Sequence, residues 1–222
     1  MKPNVIIRTN RRSLSITVSK NGEIIVRAPK RLEMDYILAF LKEKEKWIIR
    51  KQKEIQEGKQ SNYSIANYEV FLFCGKQYKR MDVEGVKDIE LSNTNIIIPK
   101  NIDNKKLVNL LKKWYLTLCK DVIVNRCEYF AKLMNVYFDS ISFMNNKSRW
   151  GCCSKDGVIK FNFRILMLPH RVIDYIIVHE LSHLLEFNHS ERFYNIVASI
   201  MPDYKDQKRL LKNYSFLLEL YR

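Results

Sequence analysis

The order of hydrophobic and polar positions changes period several times along the chain, and each change marks an element. Leu14, Ile16 and Val18 alternate with polar neighbours, and Asn21-Gly22 stands before Glu23-Ile24-Ile25-Val26, so residues 4–28 read as a β-meander closed by Ala28-Pro29. From Leu32 to about Glu57 the spacing turns helical, with Met34, Ile37, Leu38, Leu41, Trp47, Ile48 and Ile55 on one side and Lys and Glu on the other; Gly58 is read as its end. A polar linker from Lys59 to Ser64 then leads to strands near Glu69–Phe73, Gln77–Met81, Ile89–Leu91 and Ile96–Ile98, with a turn at Asn93-Thr94-Asn95. A long amphipathic helix from about Asp103 to Met134 turns Leu107, Leu110, Leu111, Trp114, Leu118, Val122 and Phe130 toward a core.

The last third changes period again. Residues 140–163 read as short strands and turns, with Asp156-Gly157 as a hairpin signal and Ile159, Phe161 and Phe163 alternating against Lys160 and Asn162. Pro169 precedes a helix from about Arg171 to Phe187 that is apolar almost all round, which means burial. Ser190 is placed to cap a further helix with Phe193, Ile196 and Val197 inward, and Asp203 to cap the last. This mixture gives an α+β class: a β-rich N-terminal lobe with a long helix over residues 1–100, then a helical lobe with a short sheet over residues 101–222.

The buried helix carries the chemistry. His179-Glu180-Leu181-Ser182-His183 places two imidazoles four residues apart, one above the other on a helix face, spaced to grip one metal ion. Catalytic zinc takes three protein ligands and leaves a fourth position to water. The third ligand is expected at His189, because Asn188 tolerates the left-handed conformation that ends a helix and turns the chain back. Glu180 is then the general base, taking a proton from the water and passing it to the leaving amine. Two His and a Glu are costly in a buried helix without partners, and an ion supplies one.

Charge and cysteines narrow the setting. The chain has 222 residues, 39 basic and 24 acidic, for a net charge of +15. Residues 1–60 hold 15 of the basic and 7 of the acidic groups, so the excess lies away from the histidines. It reads first as a solvated lysine-rich surface; nucleic acid docking on the basic N-terminal lobe is the second candidate, although no nucleic-acid motif accompanies the charge. Five cysteines are an odd number without framework spacing, Met1 to Ser13 lacks the apolar core of a secretory signal, and no apolar run is long enough to span a bilayer. The expected compartment is the cytoplasm.

Lys147-Ser148-Arg149-Trp150-Gly151-Cys152-Cys153, the alternating strand after it, Val172 through His183 and Asn188-His189-Ser190 together resemble the YgjP-like metallopeptidase family. Arg27-Ala28-Pro29, Lys46-Trp47-Ile48 and Gly75-Lys76-Gln77-Tyr78 are similar to that family too, so the resemblance covers nearly the whole chain. It implies a zincin-like fold in the C-terminal lobe, related to SprT-type proteases, with His179, His183 and His189 as zinc ligands, Glu180 as the catalytic glutamate and a peptide or protein as substrate. One departure from the wider metzincin pattern is Glu186, which stands where Gly follows the second His by three, so the turn into His189 must form differently. In this fold class a strand beside the metal helix commonly aligns substrate, and Val158–Phe163 is the candidate, with an ordinary sheet strand as the alternative. Arg149 and Trp150 are candidates for binding substrate or developing negative charge, against a packed Trp and a structural Arg; Tyr194 and Tyr204 are further possible donors. Asp174, Glu186, Glu191 and Asp203 are close enough in sequence to orient a ligating His. Two other readings stay beside hydrolysis: a nucleic-acid-associated protease, and a zinc-stabilised interaction module without turnover.

Overall fold

The computed structural model describes residues 1–19 and 21–221, with residues 59–61 described in backbone only. It is an α+β protein whose chain divides into two compact units, residues 1–64 and 65–222.

In the first unit, β1 (Val5–Thr9), β2 (Ser15–Val18) and β3 (Ile24–Pro29) form one sheet in the order β1-β3-β2. The β2–β3 hairpin follows the expected pairing, with Gly22 at φ +85° in its turn, but the unit is not a simple meander: β1 lies parallel to β3 on its far edge. The central strand is the one that buries Ile24, Val26 and Ala28, so both neighbours flank it. The helix expected from Leu32 to Glu57 is two helices, α1 (Met34–Glu43) and α2 (Glu45–Ala66), separated at Lys44. Gly58 does not end α2, which runs on through the stretch expected to be a linker; the side chains of residues 59–61 lie outside the described residues.

The second unit holds β4 (Val70–Phe73), β5 (Lys76–Val83), β6 (Glu90–Leu91) and β7 (Asn95–Pro99) in one sheet of order β4-β5-β7-β6. The long α3 (Asn104–Met134) starts where the carboxylate of Asp103 accepts the Lys106 amide and ends on Asn135 in the left-handed region. Leu107, Leu111, Tyr115, Cys119, Ile123 and Cys127 recur every fourth residue and are fully buried, giving α3 one continuous apolar stripe. A second sheet, β8 (Ser140–Met144), β9 (Gly151–Cys153) and β10 (Val158–Asn162), has β10 at its centre, parallel to β8 and antiparallel to β9. A 3-10 turn over Phe163–Met167 then leads to α4 (His170–Ser182), α5 (Glu191–Ile200), α6 (Tyr204–Leu211) and a final 3-10 segment over Lys212–Glu219.

Two contacts fix α4, the helix bearing the first histidine. Arg126 of α3 grips Asp174 through both carboxylate oxygens at 2.6 and 2.8 Å, with Asp174 only 5% exposed. Gly75, at φ +78°, lets the β4–β5 turn press on Pro169 just ahead of α4, where an added Cβ would lie 2.7 Å from the Pro169 Cα. All five cysteines are free thiols. No helix among the described residues is long and apolar enough to cross a membrane.

Candidate metal centre and cleft

The helix read as ending near Phe187 stops at Ser182, and His183 occupies its C-cap with near-helical dihedrals. His183 therefore keeps its place one turn beyond His179. Beyond it the chain tightens: the amides of His183, Leu184 and Leu185 donate to the carbonyls three residues back. Ser190 donates to the Asn188 carbonyl at 2.7 Å. Asn188 is not in the left-handed region, so the expected route into His189 is replaced by this run of tight turns, which needs no glycine at position 186.

The result brings His179, His183 and His189 together, with one ring nitrogen from each all within 4.8 Å of one another. Nε2 of His179 and Nε2 of His189 are 3.0 Å apart. Tetrahedral zinc with N–metal bonds of 2.0–2.1 Å spaces its nitrogen ligands by about 3.3 Å, so the donor set fits one small ion. The His183 Nδ1 donates to the Glu186 carbonyl at 3.2 Å, which fixes the tautomer and leaves Nε2 as the free lone pair. His179 Nδ1 is buried with no hydrogen-bond partner among the described residues. Burial first, and then the charges of His183, His189 and Lys208, hold His179 down to about 3, so its imidazole is neutral at pH 7, the form a ligand needs. Burial also lowers His183, opposed by the Glu186 carbonyl.

Phe193, one turn into α5, is the residue that sequence reasoning left in the generic core. It is fully buried and its ring centroid lies 4.9, 4.6 and 4.8 Å from those of His179, His183 and His189, so all three imidazoles rest on one aromatic surface. The signal was present: Ser190 caps α5 by accepting the Phe193 amide, which places that side chain next to the helix entry and His189. None of the expected carboxylates accepts from a histidine ring among the described residues. Asp174 is taken by Arg126, Asp203 by Arg171 and Gln207, and the Glu186 carboxylate accepts the Asn188 amide.

Glu180 points the other way from bulk water. It is 6% exposed, and burial pushes its carboxyl up to about 8, opposed by the positive charge of Arg149. The carboxylate packs on Gly151 at the start of β9: a Cβ there would stand 2.6 Å from Oε1 and 2.7 Å from Cγ. A cleft of about 220 Å³ opens beside it, lined by Arg149, Trp150 and Gly151 and by Tyr175, His179 and Glu180 of α4. The strand expected to align substrate, residues 158–163, is β10, and both its edges are filled by β8 and β9. It cannot accept another strand; β9 is the strand of this sheet next to Glu180, and among the described residues it pairs with β10 alone. Tyr194 accepts a hydrogen bond from Lys208 at 2.8 Å and stacks on Tyr204, so its hydroxyl already has a cationic partner.

A family model described as YgjP-like, metallopeptidase domain, matches residues 12–214. The chain belongs to the YgjP-like metallopeptidase family. Membership implies a metal ion, and it implies peptide or protein substrates. Among solved structures, the chain is similar to the metallopeptidase zymogen of Pyrococcus abyssi abylysin, at 22% identity over 41% of this chain and 93% of that one, with a TM-score of 0.38. Among proteins of curated function, none matches.

Proposed function

We propose that the chain is a zinc-dependent metallopeptidase in which His179, His183 and His189 hold the ion and Glu180 is the general base. The observation that carries this reading is the convergence of three imidazole nitrogens, one of them on a buried and neutral ring, next to a carboxylate enclosed by the same helix and by Gly151. When bound, the ion polarises the scissile carbonyl, acidifies a water from about 15.7 to near 7, and by its charge favours the ionised form of Glu180. Glu180 takes the proton from the attacking water at its carboxylate and returns it to the leaving amine, work suited to a group whose affinity for protons is raised by enclosure. His183 holds its ring by the Glu186 carbonyl, and Phe193 keeps the three rings from turning away. An extended peptide is aligned along the outer edge of β9, where main-chain hydrogen bonds act with little sequence preference. Five free thiols support a reducing, cytoplasmic setting.

The test is metal analysis together with cleavage of a mixed peptide library by the purified chain. The wild type is expected to bind one zinc and to cut, Glu180→Gln to keep zinc and lose cleavage, and His183→Ala to lose both. Stoichiometric zinc in His183→Ala, or full cleavage by Glu180→Gln, overturns the assignment.

A further inference from the structure

The segment that carries Arg149 is held by more buried polar groups than a surface turn requires. Asn162, fully buried, donates from Nδ2 to the carbonyls of Asn146 and Arg149 at 2.6 and 3.2 Å. Its Oδ1 accepts from the amide and the guanidinium of Arg164, and Arg164, itself fully buried, also donates to Asn145 Oδ1 at 2.8 Å and to the carbonyls of Leu220 and Tyr221. From the other side Asn146 Oδ1 accepts the amides of Ser148 and Arg149 and the hydroxyl of Ser148. A buried network satisfied at this many points rigidifies the backbone it grips.

What that backbone presents is a guanidinium. The Arg149 side chain is exposed, and no hydrogen bond or ion pair joins it to any described residue; it lines the cleft with His179 and Glu180, and its charge reaches Glu180. It is the only cationic side chain among the described residues lining that cleft. A guanidinium offers paired N–H groups in a fixed fork that matches a carboxylate, and a chain of net charge +15 draws anionic peptides toward itself.

We propose that Arg149 holds a carboxylate of the peptide lying in the cleft and so sets a preference for substrates carrying one near the bond to be cut. This rests on the metallopeptidase reading above. The carboxylate has two possible sources, the free C-terminus of a short peptide and an Asp or Glu side chain, which share one chemistry.

Four peptides separate them: acetyl-Ala-Ala-Asp-Ala and acetyl-Ala-Ala-Asn-Ala, each as the C-terminal acid and as the amide. Equilibrium binding to the zinc-loaded full chain is measured by calorimetry for the wild type, Arg149→Gln and Arg149→Lys. Binding is read whether or not a peptide is cut, so a failure of cleavage in the wild type counts against the metallopeptidase reading and leaves the binding result intact. The wild type is expected to lose at least about tenfold in affinity when the relevant carboxylate is removed, the acid/amide pair and the Asp/Asn pair showing which one it is. Arg149→Gln is expected to bind all four alike, and Arg149→Lys to keep part of the preference. A preference that survives in Arg149→Gln, or equal or undetectable binding of all four by the wild type, overturns the proposal. So does a fall in cleavage by Arg149→Gln that is the same for all four peptides, which would place the guanidinium at the reacting carbonyl instead.

Discussion

Gly151→Ala tests whether the position of Glu180 matters to the chemistry. The added Cβ would stand 2.6 Å from Oε1 of Glu180, whereas ordinary contact begins near 3.4 Å, so the carboxylate or β9 must give way by roughly 0.8 Å. The clash is with three atoms of one buried side chain, and β9 is tied to β10 through Gly151, Cys152 and Cys153, so neither side yields freely. Overpacking of this kind costs about 1–3 kcal/mol of stability, and a displacement near 1 Å at a catalytic group costs about 10²-fold in rate. The three atoms nearest the new methyl all belong to Glu180 and none to a histidine, so zinc content should stay at one per chain. The assay is kcat/KM on a peptide that the wild type cuts, with metal analysis and thermal unfolding on the same preparation. A Gly151→Ala protein that keeps its zinc and cleaves at the wild-type rate would refute the argument that Glu180 needs this clearance.

Glu180→Gln should stabilise the metal-free protein, and more so at pH 8 than at pH 5. A carboxyl raised to about 8 by burial has its full relative stability below its unfolded value near 4.5 and loses it as pH rises through the folded value; the loss is roughly a few kcal/mol, read by urea unfolding at the two pH values, and an equal effect at both would contradict it. Arg126→Met should destabilise by about 3 kcal/mol, because it strands the buried Asp174 carboxylate, whereas Arg126→Met with Asp174→Leu should recover much of that loss in the same denaturation assay. Phe193→Ala removes the surface shared by the three imidazoles and is expected to cost about 3–5 kcal/mol and to weaken zinc binding, measured by competition with a chelating dye; unchanged affinity would show that the rings hold themselves.

Much of this arrangement is legible from residue spacing. The α3 limits follow from Asp103 as a cap and from apolar residues recurring every third or fourth position, and the His179/His183 pair follows from the helical repeat alone. What escapes the sequence is pairing and clearance. Alternation identifies β2 and β10 as strands and the meander reading takes in β1, but neither carries information on which edge a neighbour takes, so β1 lands beside β3 and β10 is enclosed on both sides. Gly58 weakens a helix by only about 1 kcal/mol, too little to end α2. The roles of Gly151 and Phe193 depend on atoms 29 and four or more residues away brought close by the fold, and the roles of candidate carboxylates depend on which arginine reaches them first.

The three histidines lie within eleven consecutive residues, while the glycine that accommodates Glu180 comes from a strand 29 residues earlier. On the proposed reading, the ion would be held by one local segment, while the clearance that Glu180 needs depends on a contact of longer reach. A local opening that lifts β9 away from α4 would leave the histidine turn intact, giving a loaded but silent protein that needs no loss of metal to be switched off. Amide exchange is expected to be faster in residues 151–153 than along residues 176–182, and equal protection would tie the two segments into one unit.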